Sequence, residues 1–208
     1  MIHSQRVVAL VPIKDNSERV KGKNFRDFCG EPLFHHIVRT LDHTYAVDEI
    51  FIDTDSPRVM VEAPKLSNKV RVFERPAHTR GDMVSMNKVL AVDLEQLPDA
   101  DIFLQTHTTN PLLKAETVAH ALKAFVDAEE HDSLFSVNTY QSRFYEADGT
   151  PLNHDPDDLI RTQDLPEIYE ENSCLYVFTR ESFQRSQARI GARPQLFPTP
   201  QIESVDID

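Results

Sequence analysis

The sequence predicts an α/β fold, a mostly parallel sheet with helices on both faces, built over one domain of 208 residues. Two observations support this. Val7 to Ile13 is an apolar, β-branched run that reads as a fully buried strand, and it breaks abruptly into a polar loop from Lys14 to Asn24. Beyond that loop, short apolar runs alternate with stretches of helical periodicity, the βαβ order that generates parallel sheets.

The elements follow in order. Gly30-Glu31-Pro32-Leu33 is a turn whose proline suits the first turn of a helix, and Pro32 to Leu41 has helical apolar spacing. Glu49 to Thr54 is a strand, and Ser56 to Ala63 is a short helix ended by Pro64. Val70 to Phe73 is a third strand. Met83 to Leu97 then places Val84, Val89, Leu90, Val92 and Leu94 at helical spacing. Asp101 to Gln105 is a fourth strand. Lys114 to Glu130 is the clearest amphipathic helix, with Val118, Leu122, Phe125 and Val126 on one face. Ser133 to Asn138 is a fifth strand. Thr139 to Pro166 is turn-rich and polar, and its stretch Glu146 to Asp155 resembles a hairpin. Cys174 to Phe178 is another strand, followed by a short helix begun by Arg180-Glu181. Pro194 to Pro200 reads as a loop, and Ile202 to Asp208 as a last strand. No internal repeat or linker is visible.

Composition narrows the function. A hydrophobic content of 40% supports a packed core and excludes a disordered chain. No apolar run approaches the ~20 residues of a membrane span, and no hydrophobic leader follows the N-terminus, so a cytoplasmic location without a membrane partner is expected. Cys29 and Cys174 read as reduced, buried packing residues. The net charge of −12 argues against a nucleic-acid partner. Against that background Lys14, Arg19, Lys21, Lys23 and Arg26 fall within thirteen residues.

A buried first strand delivering such a loop to its carboxyl end is where open α/β sheets bind phosphorylated ligands. Lys14 and Lys23 can neutralise phosphate oxygens, Ser17 and Asn24 can hydrogen-bond a phosphate or a base, and successive N–H groups can form an anion nest. The glycine patterns of the Walker A loop and of dinucleotide sites are both absent. At the other end, Asp206 and Asp208 would share one face of a strand, and paired hard oxygens suit Mg²⁺. The nine histidines lack metal-ligand spacing and read as surface or core residues, apart from His107.

Five segments, in order, carry a specific resemblance. Val11-Pro12-Ile13-Lys14-Asp15-Asn16-Ser17-Glu18 with Lys23-Asn24 is the first. Phe73-Glu74-Arg75-Pro76 with Gly81-Asp82 and Ser85 is the second. Gln105 to Leu113, Arg161 to Pro166 with Glu171 to Phe178, and Ser204 to Asp208 complete the series. Together they resemble the acylneuraminate cytidylyltransferase family, with Lys14 in place of its arginine, Asp15 and Asn16 in place of two glycines, and a Gln105 segment two residues longer.

The resemblance implies a Rossmann-like nucleotidyltransferase fold with an inserted dimerisation hairpin at 139–166, hence a homodimer. It implies transfer of CMP from CTP to an acidic 2-keto sugar, with release of pyrophosphate. Lys14 and Lys23 are the implied catalytic cations. Pro12, Ser17, Asn24, Arg75, Ser85, Gln105 and His107 are the implied nucleotide-binding residues, and Arg161, Gln163, Asn172 and Tyr176 the sugar-binding ones. Asp206 and Asp208 are the implied Mg²⁺ ligands. A nucleotidyltransferase for another sugar or base, and a non-catalytic CTP- or sugar-binding relative, are the alternatives.

Overall fold

The computed structural model describes residues 2, 4–15, 20–81 and 83–207, so Ser17 and Asp208 lie outside the described residues. In chain order the elements are β1 (Val7–Leu10), a small hairpin of β2 (Asp27–Phe28) and β3 (Glu31–Pro32), α1 (Leu33–His43), β4 (Glu49–Thr54), α2 (Pro57–Glu62), β5 (Val70–Glu74), α3 (Met86–Glu95), β6 (Ile102–Thr106), α4 (Ala115–Asp127), β7 (Ser133–Tyr140), β8 (Ile168–Thr179), α5 (Arg180–Ser186) and β9 (Pro194–Pro198).

Seven strands form one sheet in the order β5-β4-β1-β6-β8-β7-β9. β1 pairs in parallel with β4 and β6, and β5 extends the parallel half. β8 runs antiparallel to both β6 and β7, while β9 is parallel to β7 at the edge. β1 is buried on both faces, which is why its sequence is continuously apolar instead of alternating. Val7 and Ala9 join the cluster beneath α1 and α4, whereas Val8 and Leu10 face the cluster that holds Leu90 and Leu94 of α3 and Phe183 of α5. Among the described residues, no helix is long and apolar enough to cross a membrane.

Four expectations change. Pro194 to Pro200 is not a loop, because Pro194–Pro198 pairs with Ser133–Val137 as an edge strand, where a sheet tolerates proline. Ile202 to Ile207 is not a strand. Glu203 and Ser204 close turns onto Pro200 and Gln201, and Ile207 N–H donates to the Thr109 carbonyl at 2.9 Å. The helices begin later than expected, with Pro32 outside α1 as its N-cap and Ser85 as the N-cap of α3. Cys29 is exposed rather than buried, at the tip of the β2–β3 hairpin. There Cys29 (φ 53°) and Gly30 (φ 92°) are both left-handed, as a tight hairpin turn requires.

The excursion between β7 and β8 contains the expected hairpin, closed by a Tyr145–Pro151 bridge and a Glu146 N–H to Thr150 O bond of 2.8 Å. Both flanking strands are longer than their apolar runs suggest. Paired from Tyr140–Ile168 inward, they carry the excursion as a two-stranded arm.

Candidate active site

The ladder between β1 and β4 continues past Leu10. Val11 N–H donates to Phe51 O at 2.9 Å and Ile13 N–H to Asp53 O at 2.8 Å, with half-buried Pro12 between them. This delivers Lys14 to the carboxyl end of the parallel strands, the face where open α/β sheets place ligands. Asp15, the acidic intruder in a basic loop, is engaged locally. Its N–H donates to Asp55 Oδ1 at 2.8 Å, and its carboxylate accepts from Ser56 Oγ at 2.5 Å.

Asn24 is nearly buried and acts as a clamp. Its Nδ2 donates to Lys14 O at 2.9 Å, and its Oδ1 accepts from Thr108 Oγ1 at 2.7 Å, tying the loop after β1 to the loop after β6. Lys23 Nζ donates to Ile207 O at 2.9 Å. Beside Lys23, a cavity of 260 Å³ is lined by Val20, Arg26, Phe28, Leu33 and Ile207 among others. Asn110 Nδ2 donates to Val205 O at 3.4 Å, so the terminal segment is strapped across the basic loop and presents Asp206 exposed.

On the β6 side the wiring centres on Gln105, which is fully buried. Its Oε1 accepts from Arg189 Nη1 at 2.5 Å, and its Nε2 donates to Thr106 O at 3.0 Å. The same Nε2 lies 3.1 Å from His107 Nε2. An amide nitrogen only donates, so His107 Nε2 accepts and the ring proton is assigned to Nδ1. Burial first, then the charges of Arg189 and Lys23, push the His107 pKa down to about 4, so the ring is neutral near pH 7.

Arg189 lies flat on Tyr176, its guanidinium carbon 3.5 Å from the ring centroid. Tyr176 hydroxyl donates to Glu171 and lies 3.1 Å from Ser173 Oγ. Burial, the largest influence, pushes that hydroxyl up to about 12. Arg189 N–H donates to Asn87 Oδ1 at 3.3 Å, linking this cluster to the start of α3, where Ser85 is exposed.

Asn24 thus ties the Lys14 loop to the loop after β6, Gln105 joins His107 to Arg189 and so to Tyr176, and Lys23 holds the segment that carries Asp206. Arg75 and Asn172 stand in the interior instead. Arg75 Nε donates to Asp53 Oδ2 at 3.0 Å in a buried pair. Asn172 Nδ2 donates to Asn138 Oδ1 at 3.1 Å and Thr199 Oγ1 at 2.7 Å, while its Oδ1 accepts from Cys174 N–H at 3.3 Å. Arg161 and Gln163 lie exposed on the arm, where Arg161 forks onto Asp164 at 2.6 and 3.0 Å. Sequence reasoning missed Arg189 and Glu171. Arg189 sits in no motif, and the only signal near it is Gly191, a mark of close backbone approach; Glu171 heads the Glu171 to Phe178 segment, but nothing there marks it as the partner of Tyr176.

The terminal segment offers a hard divalent cation one exposed carboxylate, Asp206. Among the described residues no three His, Cys, Asp or Glu side chains cluster as a cage. Magnesium, however, is usually held by one or two carboxylates together with substrate phosphates, and the exposed Asp206 beside the Lys23 anchor suits that arrangement.

A family model described as cytidylyltransferase matches residues 8–201. The chain is 23% identical over 211 aligned positions to the pseudaminic acid cytidylyltransferase of Campylobacter jejuni, covering 97% of this chain and 90% of that protein. It is 22% identical over 214 positions to the N-acylneuraminate cytidylyltransferase of Streptococcus agalactiae, covering 97% of this chain and 50% of that one. The chain thus spans about half the length of that relative, and 36% of a Helicobacter pylori relative that joins a pseudaminic acid cytidylyltransferase to a hydrolase. Among solved structures, a CMP:2-keto-3-deoxy-manno-octonic acid synthetase complexed with CTP superposes with a TM-score of 0.68 at 16% identity, over 94% of this chain and 91% of that one. At that identity the likeness establishes the shared α/β fold.

Proposed function

The chain belongs to the cytidylyltransferase family, and from that premise we propose that it transfers CMP from CTP to the anomeric hydroxyl of an acidic 2-keto sugar, releasing pyrophosphate. The observation that supports this most is the bond from Lys23 to the carbonyl of Ile207, 184 residues away, which joins the basic loop to the segment bearing Asp206. Cations for a triphosphate and a carboxylate for its metal meet at the carboxyl ends of parallel strands.

In this reading the sugar hydroxyl attacks the α-phosphorus in line. The bond from that phosphorus to the bridging β-oxygen breaks, pyrophosphate departs, and the hydroxyl proton passes to solvent. The protein's part is positioning and charge neutralisation. Lys14 and Lys23 neutralise the oxygens of the departing pyrophosphate. Asn24 acts by holding the Lys14 carbonyl, and Gln105 by holding His107, so both are positioning residues. Ser85, at the exposed start of α3, and Pro12 line the nucleotide side. Asp206 and Asp208, with the substrate phosphates, would hold magnesium, which would supply charge neutralisation at the leaving group. Arg161 and Gln163, exposed on the arm, are assigned to the sugar site of a partner copy. The enzyme is read as a cytoplasmic homodimer, in keeping with its nucleotide substrate.

The test is pyrophosphate release with CTP and Mg²⁺ against N-acetylneuraminate, pseudaminate and 3-deoxy-manno-octulosonate, repeated with ATP, GTP and UTP. Release with CTP and one acidic sugar is expected. Silence across the panel, with CTP still raising the melting temperature, would overturn turnover in favour of a binding protein.

A further inference from the structure

We propose that Arg189 receives the carboxylate of the acidic sugar, making it the residue that selects an acidic acceptor; this rests on the cytidylyltransferase reading above. The guanidinium is held in a fixed position, with its side chain only 18% exposed. Tyr176 supports one of its faces and Gln105 fixes one end of its fork. Its backbone is tied to Asn87. An arginine immobilised before the ligand arrives loses little rotamer freedom on binding, and its planar fork matches a carboxylate.

Its charge is only partly matched. Among the described residues, the carboxylate in ion-pair range is Glu171, whose Oε1 lies 3.7 Å from Nη2 and already accepts the Tyr176 hydroxyl. At that distance the two groups are not in hydrogen-bond contact, which leaves N–H donors of the fork available to a ligand. His107 stands within the field of both Arg189 and Lys23 and is neutral. Gln105 bonds Arg189 through Oε1 and His107 through Nε2, which sets the cation beside a neutral hydrogen-bonding ring.

That arrangement suits a 2-keto acid sugar. Its carboxylate is attached directly to the anomeric carbon, so anchoring the carboxylate fixes the nucleophilic hydroxyl to within one carbon–carbon bond. With the carboxylate on Arg189, the hydroxyl is directed past His107 toward the triphosphate at Lys23. A neutral sugar would leave the partly desolvated arginine with only the 3.7 Å ion pair to Glu171.

The experiment measures pyrophosphate release by wild type, Arg189→Gln and Arg189→Lys, and CTP binding by thermal shift. Arg189→Gln should raise the KM for the acidic sugar by about tenfold to a hundredfold, with the CTP-induced shift retained and Arg189→Lys partly restoring KM. Wild type should discriminate the acceptor from its C1 carboxamide, and Arg189→Gln should lose that discrimination. An active wild type whose Arg189→Gln variant keeps the same sugar KM overturns the assignment alone. So does a wild type that uses the carboxamide as readily as the acid, a readout that stands even if the variants fail to fold. A wild type inactive with every acidic sugar overturns the functional reading, and the assignment with it.

Discussion

Asp132 and Gly191 decide how firmly Arg189 is held. The Asp132 carboxylate accepts N–H bonds from Arg193 at 3.0 Å and Ala192 at 3.1 Å, and Gly191 N–H donates to Ser133 Oγ at 2.8 Å. A Cβ on residue 191 would lie 2.3 Å from Asp132 Oδ1 and 2.6 Å from its Cγ. Gly191→Ala must therefore displace the carboxylate. It should cost about 1–3 kcal/mol, read as a lower urea midpoint, and raise the sugar KM as Arg189 loosens. The burial of Asp132 works to raise its pKa, but the backbone donors of Arg193 and Ala192 outweigh it and hold the carboxyl below its usual range. Its stabilisation is thus present above the unfolded-state pKa and is lost as pH falls through the lower folded value. Asp93 has the opposite sign. Burial, then the charge of Asp53, pushes it up to about 9, because two buried carboxylates share the single cation of Arg75. Keeping Asp93 protonated in the fold while the unfolded chain ionises penalises folding increasingly as pH rises above 3.8, up to the folded value. Asp93→Asn should therefore gain stability relative to wild type as the pH is raised from about 5 to about 8, as urea midpoints will register. A constant difference would show that Asp93 ionises normally.

At the scale of elements, what the sequence announces depends on who satisfies the backbone. β1, β4 and β6 are legible because burial on both faces demands continuous apolar runs, and α4 because one face is buried. β9 is not legible, since its two prolines look like breakers until Ser133–Val137 supplies a neighbouring strand. The terminal segment fails in the other direction. Its alternating apolar residues look like a strand, but loop groups from Thr109 and Asn110 hold it, and no local pattern encodes them. Asn24, Gln105 and Asn172, all expected at the site, show the same limit. A sequence displays an amide without revealing that its hydrogen bonds are already spent. Glu203 extends the point. Almost fully buried, it accepts the Lys114 N–H at 3.0 Å just ahead of α4, whose N-cap has no side-chain bond of its own. Glu203→Ala should remove this surrogate cap and cost about 1–2 kcal/mol, measured by chemical denaturation. It should also weaken the Mg²⁺ dependence of turnover, because the same segment presents Asp206.

For the whole molecule, the question is whether one chain completes the site. The arm between β7 and β8 exposes Tyr145 (56%), Leu152 (56%) and Leu159 (68%), and it carries Arg161 and Gln163 with them. Apolar side chains gathered on one projecting element mark an interaction surface. A two-fold pairing of arms would bury the same patch on both copies. Sedimentation should accordingly find a dimer at micromolar concentration, and Leu159→Asp with Ile160→Asp should shift it to monomer. The monomer should keep its CTP-induced thermal shift, since the Lys14–Lys23 loop and the Asp206 strap lie within one chain. Sugar turnover should fall sharply because Arg161 and Gln163 no longer reach a neighbouring cleft. Arg189 separates the two contributions, being seated on Tyr176 of its own chain. Any residual activity of the monomer should still discriminate the acidic sugar from its carboxamide. A wild type that sediments as a monomer while turning over normally would mean instead that the arm is dispensable and that Arg189 governs the acceptor alone.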